Sequence, residues 1–300
     1  MSSLLSQIVI NTRPVERAAP LTQHLQAAGM EVIEMPMLTL QLLEHSAADM
    51  ALMRQWLAGD YQALVIVSPT AAASGLEIWQ TLKQQQAATS QDDDLSASTA
   101  YRAPSHIIAV GTATAAVLQQ APVQIDYQVL QPMIANNEGM LAMPEIEGLQ
   151  AGDKLLVWRG RGGRRLLVDT LQARGVYIDS IAWYERTLPA AASAQYQAWL
   201  TQFIEQQRVS VALKPSDKPL AKPIVIISSG SAFENWATVV EQAQSLATDL
   251  GIDNPLQLAD FGYVVLGERL ANMVDAQQLE HYRVEDLAPQ SILAAINHGQ

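Results

Sequence analysis

The sequence predicts an α/β protein built on parallel β-sheets, and three observations carry that prediction. Short runs of consecutive apolar residues, such as Ala63–Val67 and Ile224–Ile227, recur along the chain. Each is followed by small or hydroxylic residues and then by a helix-like stretch. Uninterrupted apolar strands alternating with helices belong to sheets covered on both faces. A length of 300 residues suffices for two domains, each with its own core.

The elements follow in order. Ile8–Asn11 is a short strand, and Pro14, whose φ is preset for a first helical turn, opens a helix through Ala28. Gly29 closes it as a C-cap, and Glu31–Met35 is the next strand. Ala63–Val67 leads to Ser68-Pro69 and a helix through about Lys83; His106–Val110 leads to Gly111–Thr114 and another helix. Leu155–Trp158 runs into a glycine-rich bend and the amphipathic run Leu166–Ala173. Ile224–Ile227 precedes Ser228-Ser229-Gly230, and Tyr263–Leu266 precedes Gly267-Glu268-Arg269. Met35–Leu43 and Val176–Thr187 read as strands that leave one domain for another. Gln84–Ala100 and Arg208–Pro223 have the polar, low-complexity composition of disordered loops.

A weak repeat supports the two-domain reading. VIVSPTAAA (65–73) resembles VIISSGSAF (225–233), and AVGTATAAVL (109–118) resembles VLGERLANMV (265–274). Two copies of one α/β unit explain this, although shared strand–helix grammar would give a similar pattern.

Composition narrows the function classes. Hydrophobic residues make up 49% and charged residues 16%, ordinary values for a globular protein. No apolar run is long enough to span a bilayer, and MSSLLSQIVINTRP lacks the basic n-region of a signal peptide, so a cytoplasmic location without membrane attachment is expected. With no cysteine, thiol chemistry and thiolate-ligated metals are excluded. His24, His45, His106, His281 and His298 lack metal-ligand spacing. A formal net charge of -12 argues against a nucleic-acid partner. A site for an anion has to be a local positive pocket.

Such a pocket is suggested by Lys154–Arg165, where Arg159, Arg161, Arg164 and Arg165 lie within seven positions. Backbone N–H groups at a helix N-terminus with arginines beside them bind anions, and Gly160, Gly162 and Gly163 permit close approach. In open parallel sheets, ligands bind beyond the carboxyl ends of strands. The residues at those ends are Arg13, Ser68, Gly111–Thr114, Arg159–Gly163, Ser228-Ser229-Gly230 and Gly267-Glu268-Arg269, a set rich in donors and positive charge with little acid or base. Ser68, Thr114 and Ser228 also suit plain helix caps. There is no P-loop, no G-x-G-x-x-G (position 165 is arginine), no G-x-S-x-G elbow and no evident carboxylate pair. Tyr184 can donate a phenolic proton, or simply pack within a linking strand.

The string LLVWRGRGGRRLLVDTLQARGVYIDSIAWYERTLP (155–189) resembles the signature of the uroporphyrinogen-III synthase family: strand, R-G-x-G-G-R, helix, L-x-x-R-G, strand, Y-x-R. IVINTRPVERAAPLTQHLQAAGMEVIEMPML (8–38), VSPTA, AVGTATA, NNEGMLAMPEIEGLQAGDKLL (136–156) and VVLGERLA match that family in order. The resemblance implies two Rossmann-like or flavodoxin-like α/β domains joined by a two-stranded β-ladder, with a ligand cleft between them. Residues 1–37 and 189–300 would form domain one, and 38–188 domain two. It implies ring closure of hydroxymethylbilane, a linear tetrapyrrole octacarboxylate, with inversion of the terminal pyrrole and loss of water, by a lyase needing no metal or organic cofactor. A monomer in transient contact with the upstream deaminase is expected, although the sequence does not fix the oligomeric state. Tyr184 corresponds to the tyrosine proposed to assist hydroxide departure, and Thr114 to a threonine of the cleft. Carboxylate binding falls to Arg13, Ser68, Gly111, Arg159, Gly160, Gly162, Arg164, Ser228, Ser229, Gly230 and Arg269. Where many relatives carry a threonine in the last strand-end motif, this chain has Gly267-Glu268-Arg269-Leu270. A non-catalytic two-domain anion-binding protein, or a nucleotide-sugar transferase on paired Rossmann-like domains, remains open at this point.

Overall fold

In a computed structural model, residues 6–89, 106–120, 128–163, 165–213, 221–246 and 255–298 are described. The chain divides into two units, residues 1–39 with 187–300 and residues 40–186.

The first unit holds five strands: β1 (Ile8–Asn11), β2 (Glu31–Glu34), β9 (Ile224–Ile227), β10 (Gly262–Leu266) and β11 (His281–Val284). They form one parallel sheet in the order β11-β10-β9-β1-β2. The second unit carries β3 (Thr39–Leu42), β4 (Ala63–Ile66), β5 (His106–Ala109), β6 (Val129–Leu130), β7 (Lys154–Gly160) and β8 (Tyr177–Thr187), in the order β3-β8-β7-β4-β5-β6. From β8 to β6 every pairing is parallel.

Side-chain alternation explains why these strands read as continuous apolar runs. In the first sheet Val9, Ile224, Ile226 and Val264 face helices α1 (Val15–Ala27) and α11 (Pro289–His298). Ile10, Val225, Ile227, Tyr263 and Val265 face the opposite core with α8 (Ala192–Leu213), α9 (Gly230–Ser245) and α10 (Gly267–Asp275). The second sheet repeats the device. Leu64, Ile66, Ile107 and Leu156 pack towards α2 (Ala47–Ala58), α3 (Pro69–Thr89) and α4 (Thr112–Gln119). Ala63, Val65, Ile108 and Val157 pack towards α5 (Asn137–Leu141), α6 (Pro144–Glu147) and α7 (Leu166–Ala173). Both faces of each sheet are therefore covered.

Strand order locates the binding edge. In the first sheet the winding reverses between β1 and β9, and in the second between β4 and β7. The crevice outside the carboxyl ends of strands at such a reversal is where open α/β sheets bind ligands. Arg13 and Ser228 follow the first pair, and Ser68 and Gly160 mark the second.

Three expectations are corrected. The helix begun at Pro69 runs to Thr89 rather than to about Lys83, because glutamine and alanine in 84–88 favour continued helix; 90–100 lie outside the described residues. Likewise α8 continues through Leu213 over part of the loop expected at 208–223, and 214–220 lie outside the described residues. Finally, Met35–Leu43 is not one strand. Pro36 lacks an N–H, so β2 stops at Glu34 and β3 begins at Thr39, while Met35 and Met37 still donate to the carbonyls of Asn11 and Thr12.

A tryptophan cluster fills one core of the second unit. Trp56 meets Trp79 and Trp158 edge-to-face at 4.8 and 5.3 Å, and Trp158 meets Trp183 at 5.8 Å. Gly75 of α3 lies directly against it, since a Cβ there would come within 2.2 Å of the Trp158 ring. Glycine-to-alanine in a helix normally stabilises by about 1 kcal/mol. At position 75 the sign reverses: Gly75→Ala is expected to destabilise the protein by about 1–3 kcal/mol, as overpacking does. Chemical denaturation checks this, and an unchanged or raised midpoint would contradict the packing described.

Candidate functional site

A cavity of about 300 Å³ opens at the carboxyl ends of β4, β5 and β7. Val67 and Val110, immediately after β4 and β5, supply its apolar floor with Val157. Arg159, Gly160, Gly162 and Gly163 form one wall, Leu167 and Val168 of α7 continue it, and Ala135–Asn137 and Met140 close another side. Tyr184 and Arg186 of β8 complete the lining.

Tyr184 is fixed by a local irregularity between two strands. β7 and β8 pair residue for residue up to Arg159 with Ala182, and then Gly160 pairs with Tyr184. Two residues of β8 thus advance for one of β7, a bulge that re-aims the following side chains. The Tyr184 ring lies on Gly160, where a Cβ would come within 2.6 Å of the ring carbons. Gly160 thereby seats the tyrosine; no side chain larger than hydrogen fits. The Tyr184 hydroxyl donates to Ser68 Oγ at 3.0 Å. Ser68 also accepts from the Ala71 N–H at 3.2 Å, so it caps α3 and holds the phenol at once.

The arginine-glycine turn is largely self-satisfied. Arg159 donates to the carbonyl of Gly160 at 3.2 Å and, in a short contact, to that of Gly162. Arg161 pairs with Glu185 at 2.8 Å, and Arg165 with Asp169 at 2.9 Å, one turn into α7. Arg164 lies outside the described residues. Gly162 and Gly163 both have φ in the left-handed region, +76° and +86°, which explains the glycine pair and lets the carbonyls turn back onto Arg159.

Gly111 precedes α4 as its N-cap, and a Cβ on it would stand 3.0 Å from Ala135 on the cavity wall. Thr114 sits in the first turn of α4, 1% exposed, and does not line this cavity.

The remaining strand-end residues belong to the first unit. The N-cap of α9 is Ser229, not Ser228; its hydroxyl accepts from Ala232 N–H at 3.2 Å, because Ser229 has the extended backbone that a cap needs. The Arg269 guanidinium lies over Gly230, 3.2 Å from where a Cβ would be. Arg13 follows buried Asn11, whose carbonyl oxygen in the side chain accepts from the Arg13 N–H at 3.3 Å. That amide also donates to Thr22, which donates to Glu34 at 2.6 Å, so a polar chain braces the loop. Burial and the neighbouring Arg17 both push the Arg13 guanidinium below its ordinary pKa. A negative partner would relieve both effects.

Asn136, Asn137 and Arg186 were not among the residues singled out for the site. Arg186 was legible in principle: it lies two residues after Tyr184, on the same face of a strand. Asn136 was not, since its carbonyl oxygen caps α5 by accepting from Gly139 N–H at 2.7 Å. Among the described residues no cluster of three or more His, Asp or Glu side chains could hold a metal ion, and no helix is long and apolar enough to cross a membrane.

The family described as Uroporphyrinogen-III synthase HemD matches residues 19–291. Uroporphyrinogen-III synthase of Escherichia coli (strain K12) is 37% identical over 79 residues, 26% of this chain and 30% of that protein. The enzyme of the same name from Salmonella typhimurium (strain LT2) is 42% identical over 50 residues, 17% of this chain and 20% of the relative. These matched stretches span less than a third of either relative. A crystal structure of a mutant uroporphyrinogen III synthase from Thermus thermophilus aligns with a TM-score of 0.53 at 11% identity, covering 97% of this chain and 98% of that one. At that identity the likeness is one of fold. The family match extends over most of the sequence, and the chain belongs to the uroporphyrinogen-III synthase family.

Proposed function

We propose that the protein closes hydroxymethylbilane to uroporphyrinogen III, inverting the terminal pyrrole. The observation that carries this reading is the Tyr184 hydroxyl, held on Ser68 and Gly160 in the lining of a cavity that also presents arginine. Family membership favours an enzyme over a non-catalytic anion-binding protein.

The chemistry asks for positioning above all. Departure of the terminal hydroxide breaks a C–O bond and leaves an azafulvene, with the pyrrole nitrogen supplying the electron pair. Rotation about the Tyr184 Cζ–O bond turns its proton from Ser68 towards the leaving oxygen, which departs as water. The substituted α-carbon of the last pyrrole then attacks the exocyclic carbon of the azafulvene. The spirocycle breaks the bond from that α-carbon to its original bridging methylene, leaving a second azafulvene. The free α-carbon of the same pyrrole attacks that methylene, its proton returning to the Tyr184 phenolate. Holding that geometry instead of the uninverted one is an orientation effect, and a wall of fixed donors and apolar contacts suits it. Arg159, Gly160, Gly162, Ser68, Gly111 and Arg164 are assigned to substrate binding on the second unit, whereas Thr114, buried in the first turn of α4, is not. Arg13, Ser228, Ser229, Gly230 and Arg269 offer carboxylate-binding chemistry on the first. We assign the activity to the lyase class, working without a cofactor as a cytoplasmic monomer, with transient contact to the upstream deaminase.

A coupled assay with porphobilinogen and that deaminase tests the reading. The type III isomer is the expected product; type I alone, from folded protein, refutes the assignment. Tyr184→Phe is expected to lower kcat about tenfold or more, within the range of lost proton transfer, while the thermal midpoint stays put. Equal turnover would remove Tyr184 from the chemistry. Gly160→Ala is expected to lose activity to a similar degree, because the added methyl displaces the ring, and to cost about 1–3 kcal/mol of stability. Full activity in that variant would show that the seat is dispensable.

A further inference from the structure

We propose that Arg186 anchors a substrate carboxylate in the cavity and holds the reacting ring beside Tyr184. This rests on the proposed activity, and its test separates the two.

Cations near the cavity differ in what already occupies them. Arg159 is tied to the carbonyls of Gly160 and Gly162, Arg161 to Glu185, and Arg165 to Asp169. Arg186 lines the cavity, is exposed, and has no ion-pair partner among the described residues. The neighbouring carboxylate, Glu185, is turned to Arg161 on the other side of β8. The Arg186 guanidinium lies over the Tyr184 ring, 5.5 Å from the centroid.

A guanidinium is planar, so its face and its edges do different work. Stacking on an aromatic ring engages the face. The N–H groups at the edge stay available for a two-pronged bond to a carboxylate. Arg186 can therefore keep its place on Tyr184 while gripping an anion, which fixes the anion relative to the phenol. No other cation lining this cavity among the described residues has its N–H groups so uncommitted.

The volume agrees with a partial occupant. About 300 Å³ is the lower bound for pockets that enclose a drug-sized ligand. The cavity thus takes one end of a linear tetrapyrrole, a pyrrole with its arms, rather than the whole chain. One arginine beside the tyrosine suffices to fix that end.

Binding and turnover are measured separately. Calorimetry with uroporphyrinogen III, kept reduced under anaerobic conditions, is applied to the wild type, Arg186→Gln, Arg186→Lys and Arg174→Gln. Arg174 is an exposed residue after α7 and controls for loss of one positive charge. Arg186→Gln is expected to weaken Kd about tenfold or more, the scale of a charged hydrogen bond. Arg186→Lys should fall between, since charge is kept and the planar fork is lost, and Arg174→Gln should stay within about twofold. KM for hydroxymethylbilane should rise in parallel. Binding by Arg186→Gln within about twofold of wild type overturns the proposal, as does an equal loss in Arg174→Gln or no binding by the wild type. If the wild type binds and Arg186→Gln does not, yet only type I product forms, the anchor stands and the proposed activity falls.

Discussion

The site depends on one slip of register. Up to Arg159 the strands β7 and β8 pair evenly; beyond it Gly160 meets Tyr184. Because the paired residue is glycine, the tyrosine ring can pack directly on the neighbouring strand. From that seat its hydroxyl reaches Ser68 and its face lies under Arg186. The Arg161 N–H, donating to the Tyr184 carbonyl at 2.7 Å, locks the turn onto the slipped strand.

Much of the architecture was legible because the physics is local. Ile224–Ile227 and Leu166–Ala173 carry their periodicity on their face, and the structure places both elements within those bounds. The alternation of buried strands and helices dictated parallel sheets with two covered faces. Where the reading stopped short, the cause was also local. The stretch 84–89 reads as a loop by polarity, yet a helix already nucleated at Pro69 extends through glutamine and alanine at little cost. Pro36 needed a strand–strand ladder around it before its missing N–H had a consequence.

The electrostatics were the least legible part. Four arginines in seven positions look like a concentrated field, but charge in sequence is not charge available to a ligand. Whether Arg161 faces solvent or Glu185 is decided by a residue 24 positions away, on a strand whose register is itself shifted. Arg186 has no ion-pair partner among the described residues for the complementary reason, since its neighbour Glu185 pairs with Arg161. Gly160 belongs to the same lesson. Its lack of a side chain makes room for a ring 24 residues further along the chain.

The tryptophan cluster has an optical consequence. Trp183 is the residue skipped in the β7–β8 register and is adjacent to Tyr184, while its ring touches Trp158, which in turn touches Trp56. The indole N–H groups of Trp56, Trp158 and Trp183 are buried without a hydrogen-bond acceptor among the described residues. Such indoles emit towards the blue, and rings at these separations exchange excitation. A shift of β8 against β7 is thereby reported by light absorbed several residues away, giving the second unit a built-in spectroscopic gauge of the strand pair that carries Tyr184.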